Sequence, residues 1–141
     1  ILGNNGATLK KFGKLIGALV AEEGVNEKMA EFINPLVYLA DQMTKFTTEL
    51  GFKGFQNPDE VGAAAVDYLR VAGHLVFGYF WARMAQTALR EVAAGNTDKF
   101  YQAKLQTARF YFARLFPETA TLMRTARSGS KVLMDTDAAL A

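Results

Sequence analysis

Apolar residues recur at helical spacing in four successive segments of this 141-residue sequence, and no segment shows the alternation typical of a strand. The segments cover approximately residues 7–22, 27–50, 58–94 and 98–127. Short connections place consecutive helices antiparallel to each other. The sequence therefore predicts an all-α fold, an antiparallel up-down four-helix bundle with two long helices, the third and the fourth. A chain of this length supports one hydrophobic core, so we expect a single helical-bundle domain over residues 1–141.

Turn-forming residues mark the beginning and the end of the second helix. Asn26 is a suitable N-cap for it. Pro35 lies inside it, so either the helix kinks there or Asn34 caps a fresh start with Pro35 in its first turn. Residues 51–55 contain two glycines and predict a loop. The predicted buried stripe of this helix consists of Phe32, Leu36, Leu39, Met43, Phe46 and Leu50.

Capping signals define the ends of the third helix. Asn57 is the predicted cap, Pro58 suits the first helical position, and Glu60 stands three residues after the cap as in a capping box. Gly95 can adopt the left-handed conformation that ends a helix. Thr97 is then the predicted cap of the fourth helix.

The fourth helix contains a proline and ends at a glycine. Pro117 removes one backbone donor and should bend the helix. Gly129 should break it, and residues 135–141 are predicted to fray.

The two long helices carry apolar residues on opposite faces when residues are placed at 100° per step. We assign the bundle face of the third helix to Val61, Ala65, Leu69, Ala72, Val76 and Tyr79. We assign the bundle face of the fourth helix to Tyr101, Leu105, Ala108, Phe112, Leu115 and Leu122. The reverse faces carry Val66, Phe77, Trp81, Met84 and Ala88, beside Arg70 and His74, and Gln106, Phe110, Ala113 and Pro117.

Aromatic residues on the reverse faces predict a second buried surface. We interpret Phe77, Trp81, Phe110 and Pro117 as a candidate docking surface for another domain or subunit. The alternative is a scatter of exposed apolar residues, which is common on protein surfaces, with Trp81 lying over an arginine side chain.

The residue types needed for metal or nucleophilic chemistry are scarce. His74 is the single histidine and has no glutamate three positions before it, so the Glu-x-x-His pattern of di-iron bundles is missing. With one histidine and no cysteine, a zinc site would need mostly carboxylate ligands, so the sequence disfavours zinc binding. We expect His74 to pack near Arg70 or Asp67. Ser128 and Ser130 have no histidine near them in sequence, which disfavours a Ser-His-Asp arrangement.

The remaining polar features also favour structural roles. Residues 3–6 and 128–131 lack the spacing of a phosphate-binding loop and are predicted turns. The basic patch of Lys10, Lys11 and Lys14 is either a solvated face or a contact for a phosphate of a nucleotide or of coenzyme A. Glu118 is expected on a side face of its helix. The residues therefore predict no catalytic, cofactor-binding or metal-ligating group in this chain.

Charge and hydropathy limit the possible partners and the location of the protein. With 16 basic and 14 acidic residues the net charge is +2, which does not indicate a nucleic-acid partner. The longest uncharged stretch, residues 71–82, is shorter than the roughly 20 residues that a membrane-spanning helix needs. The absence of cysteine fits a reducing compartment, and we expect a cytoplasmic protein. The sequence opens on Ile1 rather than Met, which fits either processing, such as removal of a tag, or a fragment of a larger protein.

The run from residue 104 to 134 combines several motifs. A Lys-x-x-Thr-Ala-Arg-Phe-Tyr sequence is followed by a proline, a glycine-containing stop and a Leu-Met pair. In this respect the chain resembles the C-terminal extension of long-form bacterial acyl-CoA dehydrogenases. Residues 6–9, 68–70 and 78–82 extend the resemblance over nearly the whole chain. The residues of the strongest motif are Lys104, Thr107, Ala108, Arg109, Phe110, Tyr111, Pro117, Gly129, Leu133 and Met134.

The resemblance implies a parent enzyme that uses FAD to oxidise an acyl-CoA thioester between its α and β carbons, as in fatty acid metabolism. In that family a glutamate takes the α-proton and the flavin accepts the hydride. That glutamate and the flavin-binding segments precede the part of the family that this chain resembles. The resemblance thus assigns no catalytic or cofactor-binding residue here. It implies packing on the catalytic core, or between the subunits of a homo-oligomer.

Two other functions remain open from the sequence. One is a free-standing helical module that binds a partner protein or a membrane surface. The other is an enzyme in its own right, for which we find no constellation of reactive residues. An upstream flavin core with a Glu-Gly-Thr segment would support a domain of an acyl-CoA dehydrogenase. A start codon beside Ile1 would support a free-standing module.

Overall fold

The computed structural model describes residues 6–135, and its regular elements are all helical within that range. The elements are α1 (Ala7–Glu23), a 3-10 turn (Glu27–Met29), α2 (Ala30–Gln56), α3 (Asp59–Ala93), α4 (Lys99–Phe110), a π-helix (Tyr111–Leu115), α5 (Glu118–Ala126) and α6 (Lys131–Met134). α4, the π-helix and α5 follow one another and together form the fourth member of the bundle, which confirms the predicted four-helix architecture.

Contacts along α3 show the direction of the helices around it. Near the start of α1, the Phe12 ring meets Tyr79 at 5.4 Å, and near its end Glu23 bonds to Arg90, so α1 and α3 run parallel. The fourth member runs the other way, because Tyr111 bonds to His74 and the later residue Ser130 bonds to Glu60. α3 is therefore the central helix, in contact with α1, α2 and the fourth member.

α2 supplies three of the largest fully buried side chains of the described core, Phe32, Leu36 and Met43. Every residue of its predicted stripe is buried, and Met29 and Ile33 are buried with it. Asn26 caps the turn that precedes it, since its side chain accepts a hydrogen bond from the Lys28 N–H at 3.1 Å. Pro35 lies within the continuous helix, so a fresh start at Asn34 is excluded.

The predicted loop at residues 51–55 is wrong, because α2 continues to Gln56. The glycine at position 54 serves close packing rather than a turn. A Cβ at Gly54 would lie 2.5 Å from Cγ2 of Val61, in the first turns of α3. The lack of a side chain therefore lets the end of α2 approach the start of α3.

Asn57 begins the next helix as predicted. Its backbone is extended and its Oδ1 accepts a hydrogen bond from the Asp59 N–H at 3.1 Å. Glu60, however, does not complete a capping box. Its carboxylate accepts hydrogen bonds from the Ser130 N–H at 3.1 Å and the Ser130 hydroxyl at 2.6 Å. Instead of capping its own helix, Glu60 links the start of α3 to the C-terminal turn through these two hydrogen bonds.

The other helix ends follow the sequence signals with one exception. Gly95 and Gly129 both have positive φ, at 87° and 83°, and end helices as predicted. Asp98 rather than Thr97 caps α4, since its Oδ1 accepts from the Phe100 N–H at 2.9 Å. A carboxylate is favoured there because it also meets the positive end of the helix dipole. Of the predicted frayed tail, residues 136–141 lie outside the described part.

The predicted bundle face of α3 is largely wrong. Leu69 is 72% exposed and Val76 is exposed, and of that face only Tyr79 is buried. The helix buries a neighbouring stripe made mainly of small residues, because small side chains allow α2 and the fourth member to approach closely. The buried residues of this stripe include Ala64, Val71, Leu75, Gly78, Ala82 and Ala85.

None of the helices in residues 6–135 is long and apolar enough to cross a membrane.

Candidate functional site

A widened turn precedes Pro117 and changes which residues of the fourth member face inward. The Phe116 N–H bonds to the Tyr111 carbonyl at 2.9 Å, an i to i−5 bond that defines a π-helix. Proline has no N–H, and its ring clashes with the carbonyl four residues earlier in a regular helix. A wider turn relieves that clash, and such turns are frequent at functional sites.

The extra residue in the π-helix rotates the chain that follows it. Leu115, predicted to face the bundle, is 48% exposed, and Phe116 is buried in its place. The Phe116 ring packs against α3 at Gly78, where a Cβ would lie 2.9 Å from Cε2 of Phe116. The aromatic cluster of the fourth member therefore depends on the π-helix and on Gly78 together.

His74 of α3 lies beside this cluster and joins it to α5. Its Nδ1 is 2.9 Å from the Tyr111 hydroxyl, and its Nε2 is 2.8 Å from Oε2 of Glu118. Arg70, one turn earlier on α3, also donates to Glu118. The prediction that His74 packs near Arg70 is confirmed, with Glu118 as their shared acceptor. Tyr111 and Glu118 were not assigned this role from the sequence, because the π-helix changes the faces of the residues around Pro117.

Two proton arrangements satisfy these distances. The Tyr111 hydroxyl lies within hydrogen-bond distance of both the ring nitrogen of His74 and, at 3.2 Å, the backbone carbonyl of His74. If it donates to the ring, the histidine is neutral and donates only to Glu118. If it donates to the carbonyl, both ring nitrogens donate and the imidazole is charged.

The surroundings of this cluster keep Tyr111 neutral and Glu118 ionised. Burial raises the pKa of the Tyr111 hydroxyl to about 12. The hydrogen bond from His74, together with the charge of Arg70, lowers the pKa of Glu118 below its ordinary value. The groups satisfy one another, and this arrangement links helices without offering a free acid or base.

A second polar cluster ties the end of α1 to α3. The buried carboxylate of Glu23 accepts hydrogen bonds from Asn26, Gln86 and Arg90, each at 2.9 Å. Acidic residues are disfavoured at a helix C-terminus, where the dipole is negative, so these donors offset an unfavourable position. They lower the pKa of Glu23, with Asn26 as the largest cause. Beside it, Glu22 accepts from Arg83 at 2.7 Å.

The four predicted docking residues lie in different surroundings. Phe77 is 61% exposed on α3, and Phe110 is 56% exposed on α4. Pro117 is exposed at the start of α5. Trp81 is half-buried, and its ring stacks on Tyr111 with centroids 6.3 Å apart. Their assignment to one docking surface stays a prediction.

Phe77 belongs to a longer uncharged strip on α3, which we call the open face. Its members recur every three or four residues and therefore share one side of the helix. The strip lies between the sides of α3 that meet α1 and the fourth member. Its residues are Gly62, Val66, Leu69, Gly73, Phe77, Phe80 and Met84.

Phe80 and Met84 also border a groove of about 280 Å³ between α3 and α4. Lys104 lies at this groove with its Nζ 5.2 Å from the centre of the Phe100 ring. The open face therefore continues toward α4 at its C-terminal end.

No group of three or more metal-ligating side chains comes together in the described residues. The buried side-chain polar atoms of that part of the chain all have hydrogen-bond partners, so none points unsatisfied toward a ligand. Lys10, Lys11 and Lys14 are exposed on α1, and their contact with a phosphate stays a prediction.

Comparison with known proteins agrees with the sequence motifs. A family profile described as "Acetyl-CoA dehydrogenase C-terminal like" matches residues 11–137. The 3-methylmercaptopropionyl-CoA dehydrogenase of Ruegeria pomeroyi is 27% identical over 137 residues, which cover 94% of this chain but only 23% of that relative. The resemblance first seen in residues 104–134 is thereby confirmed. Because the profile covers most of its length, the chain belongs to the acetyl-CoA dehydrogenase C-terminal-like family.

Proposed function

We propose that this chain is the C-terminal helical domain of an FAD-dependent acyl-CoA dehydrogenase that acts in the cytoplasm. The observation that carries the proposal is the family match over residues 11–137. The dehydrogenase relative is supporting evidence, since the matched part is 23% of its length and leaves room for a separate catalytic core.

In this proposal the core carries the chemistry. FAD, when bound there, accepts the hydride removed from an acyl-CoA thioester, as in fatty acid oxidation. The present chain stabilises the assembly instead. Its most notable polar groups support this role, because His74, Tyr111 and Glu118 bond to one another and Glu23 is held by three donors.

We further propose that the α4–α5 side of the domain packs on the core. Phe110 is more than half exposed there, and Pro117 is exposed nearby. Large apolar side chains that face solvent in the separate domain mark an interaction site, and covering them stabilises the assembly.

The test is to purify the native polypeptide that contains this chain and to record its visible spectrum. We expect bound flavin, and we expect the flavin to be bleached when acyl-CoA is added without oxygen. The 141-residue chain expressed by itself should be colourless and inactive.

A matched variant of the native polypeptide that lacks residues 6–135 tests the structural role. It should keep the flavin chemistry but unfold at a lower temperature. A native polypeptide of about 15.5 kDa, or one without flavin, would refute the proposal and favour the free-standing module.

A further inference from the structure

The outward side of the fourth member carries arginines and no carboxylate. Exposed residues recur every three or four positions along α4, the π-helix and α5, so they share one side of this member, which we call the outer strip. The strip rises over roughly 26 Å. Its residues are Gln106, Phe110, Arg114, Pro117, Thr121 and Arg124.

The fourth member has an excess of positive charge that the domain itself does not neutralise. Residues 98–131 hold seven of the 16 basic residues of the chain but only two of its 14 acidic residues. Both acids are engaged, because Asp98 caps α4 and Glu118 bonds to side chains of α3. Arg114 and Arg124 form no ion pair with any residue of the range 6–135.

Other exposed charges of the domain have partners of the opposite sign. Beside the outer strip, Arg109 donates to Glu31 of α2 at 2.9 Å. On the exposed side of α2, Lys45 pairs with Asp41 at 2.8 Å. The outer strip differs from both places, because its arginines lack a carboxylate that a partner surface can supply.

The composition of the outer strip is that of a protein interface. Aromatic residues and arginine are enriched at interfaces, whereas lysine is depleted. Phe110 is 56% exposed, and Arg114 lies one turn after it. Arg114 and Arg124 are separated by a rise of about 15 Å. Double-stranded DNA carries a charge about every 1.7 Å, so two arginines this far apart match a protein surface better than a nucleic acid.

A second copy of the strip is a poor match for the first. Two identical strips would bring arginines together, and like charges at an interface oppose binding. Four carboxylates elsewhere in the domain are already paired with arginines of their own chain, and these are Glu22, Glu31, Glu49 and Glu118. The charge of the strip therefore favours a different protein surface over a second copy.

We propose that the outer strip docks on an acidic surface of the catalytic core, with Asp or Glu side chains of the core paired to Arg114 and Arg124 and an apolar contact at Phe110. The proposal rests on the proposed function, since it requires a core in the same polypeptide. It adds the charge and the residue types of the surface that the core presents.

Carbodiimide cross-linking of the native polypeptide tests these ion pairs. The reagent joins an amine to a carboxylate that it contacts, and Arg114→Lys and Arg124→Lys keep the charge while they supply the amine. Each variant should form a link to an Asp or Glu outside the 141-residue chain, identified by mass spectrometry. Val25→Lys, at a position 99% exposed, is the control and should form no such link.

Isotope labelling identifies the source of the carboxylate. In a mixture of labelled and unlabelled polypeptide, the links should join segments of one isotope only. Links between labelled and unlabelled 141-residue segments would overturn the proposal in favour of a second copy. The absence of any link from residues 114 and 124 would overturn it as well.

Charge reversal tests whether the ion pairs hold the domain. In the native polypeptide, Arg114→Glu combined with Arg124→Glu should speed the release of the domain by limited proteolysis at least ~10-fold, because attraction becomes repulsion. Lys10→Glu combined with Lys14→Glu is the control, since it makes the same change of charge on α1. Equal release of the two double variants would contradict the proposal.

The same double variant separates a protein surface from a membrane surface. The 141-residue chain has its own hydrophobic core, so its folding can be verified by circular dichroism. We expect it not to sediment with vesicles that contain phosphatidylserine. Sedimentation that is lost in the Arg114→Glu, Arg124→Glu variant would overturn the proposal in favour of an anionic membrane.

The flavin content of the native polypeptide distinguishes failure of this proposal from failure of the proposed function. A polypeptide with bound flavin but without the links would refute the acidic surface alone. A polypeptide with the links but without flavin would retain the acidic contact and refute the dehydrogenase.

Discussion

At the scale of single residues, Gly78 is the point of closest approach to the aromatic cluster of the fourth member. A Cβ there would lie 2.9 Å from Cε2 of Phe116 and 3.2 Å from Cδ1 of Leu36, and both partners are buried. We expect Gly78→Ala to lower the free energy of unfolding by about 1–2 kcal/mol. Overpacking costs roughly 1–3 kcal/mol, which exceeds the gain of ~0.5–1 kcal/mol from removing a helical glycine. Urea unfolding measures the difference.

Gly17→Ala on α1 is the control for Gly78→Ala. A Cβ at position 17 has no neighbour within 4 Å, so this variant should gain ~0.5–1 kcal/mol. A similar gain from Gly78→Ala would show that Phe116 and Leu36 move aside freely.

Glu23 makes stability depend on pH. Its donors lower its folded pKa below the ordinary value of 4.5. The stabilisation is therefore fully present above that value and is lost as pH falls through the lower, folded pKa. We expect Glu23→Gln to cost about 1–3 kcal/mol near neutral pH, because Arg90 and Gln86 lose their ionised acceptor.

The difference between Glu23→Gln and the wild type should shrink as the pH falls below about 4.5 toward the lower, folded pKa of Glu23. Urea unfolding across this range measures it. A constant difference would mean that packing, rather than ionisation, determines the effect of Glu23.

At the scale of elements, the sequence predicted the helices and most of the residues that cap or end them, but it did not predict which side of α3 is exposed. The stripe of α2 is continuous and large, so periodicity identified its core residues. On α3 the apolar residues surround the helix, and large exposed side chains such as Leu69 and Phe77 outweigh the buried glycine and alanines. Only tertiary contacts show which side is covered.

The π-helix was equally hidden from the sequence. Pro117 predicted a bend, but a bend can be made without an added residue. The choice of a widened turn depends on Phe116 reaching Gly78, which is a contact between distant parts of the chain. Local spacing therefore placed Leu115 inward and missed the roles of Tyr111 and Glu118.

Deletion of Ala113 tests the π-helix directly. The deletion turns the bond from the Phe116 N–H to the Tyr111 carbonyl into a regular helical bond, and it leaves the residues after it on the same side. Ala113 is exposed, so no core contact is lost. We expect a cost of about 3 kcal/mol, that of a proline inside a regular helix, measured by urea unfolding.

The control is deletion of Gln106 in α4, which is also exposed. It rotates all later residues by about 100° and should cost more than ~4 kcal/mol or prevent folding. Equal costs for the two deletions would contradict the interpretation of the π-helix as a regular helix with one extra residue.

At the scale of the whole molecule, Phe110 tests the proposed contact with a catalytic core. In the native polypeptide Phe110→Asp would bury a charge in an apolar interface, which costs several kcal/mol. We expect the domain to be released by limited proteolysis at least ~10-fold faster, with its helical content unchanged. Val25→Asp, at a position 99% exposed, is the control and should behave as the wild type. Unchanged proteolysis of Phe110→Asp would place the core contact elsewhere.

The short connection between α2 and α3 has a consequence for the order of assembly. Asn57 and Pro58 join these helices directly, and Gly54 already contacts Val61 across the connection. The links to the other helices, such as Glu22 to Arg83 and Glu31 to Arg109, close loops of 61 and 78 residues. Loop closure costs more entropy for longer separations, so the α2–α3 hairpin should form first.

Native-state hydrogen exchange can measure this order. Amides of Met43 and Val71 should exchange only through global unfolding, and those of α5 and α6 through smaller openings. During synthesis the residues of α2 and α3 emerge before those of α4, so the hairpin can form before the fourth member packs on it. The side of α3 that the fourth member covers then remains exposed until that member packs on it.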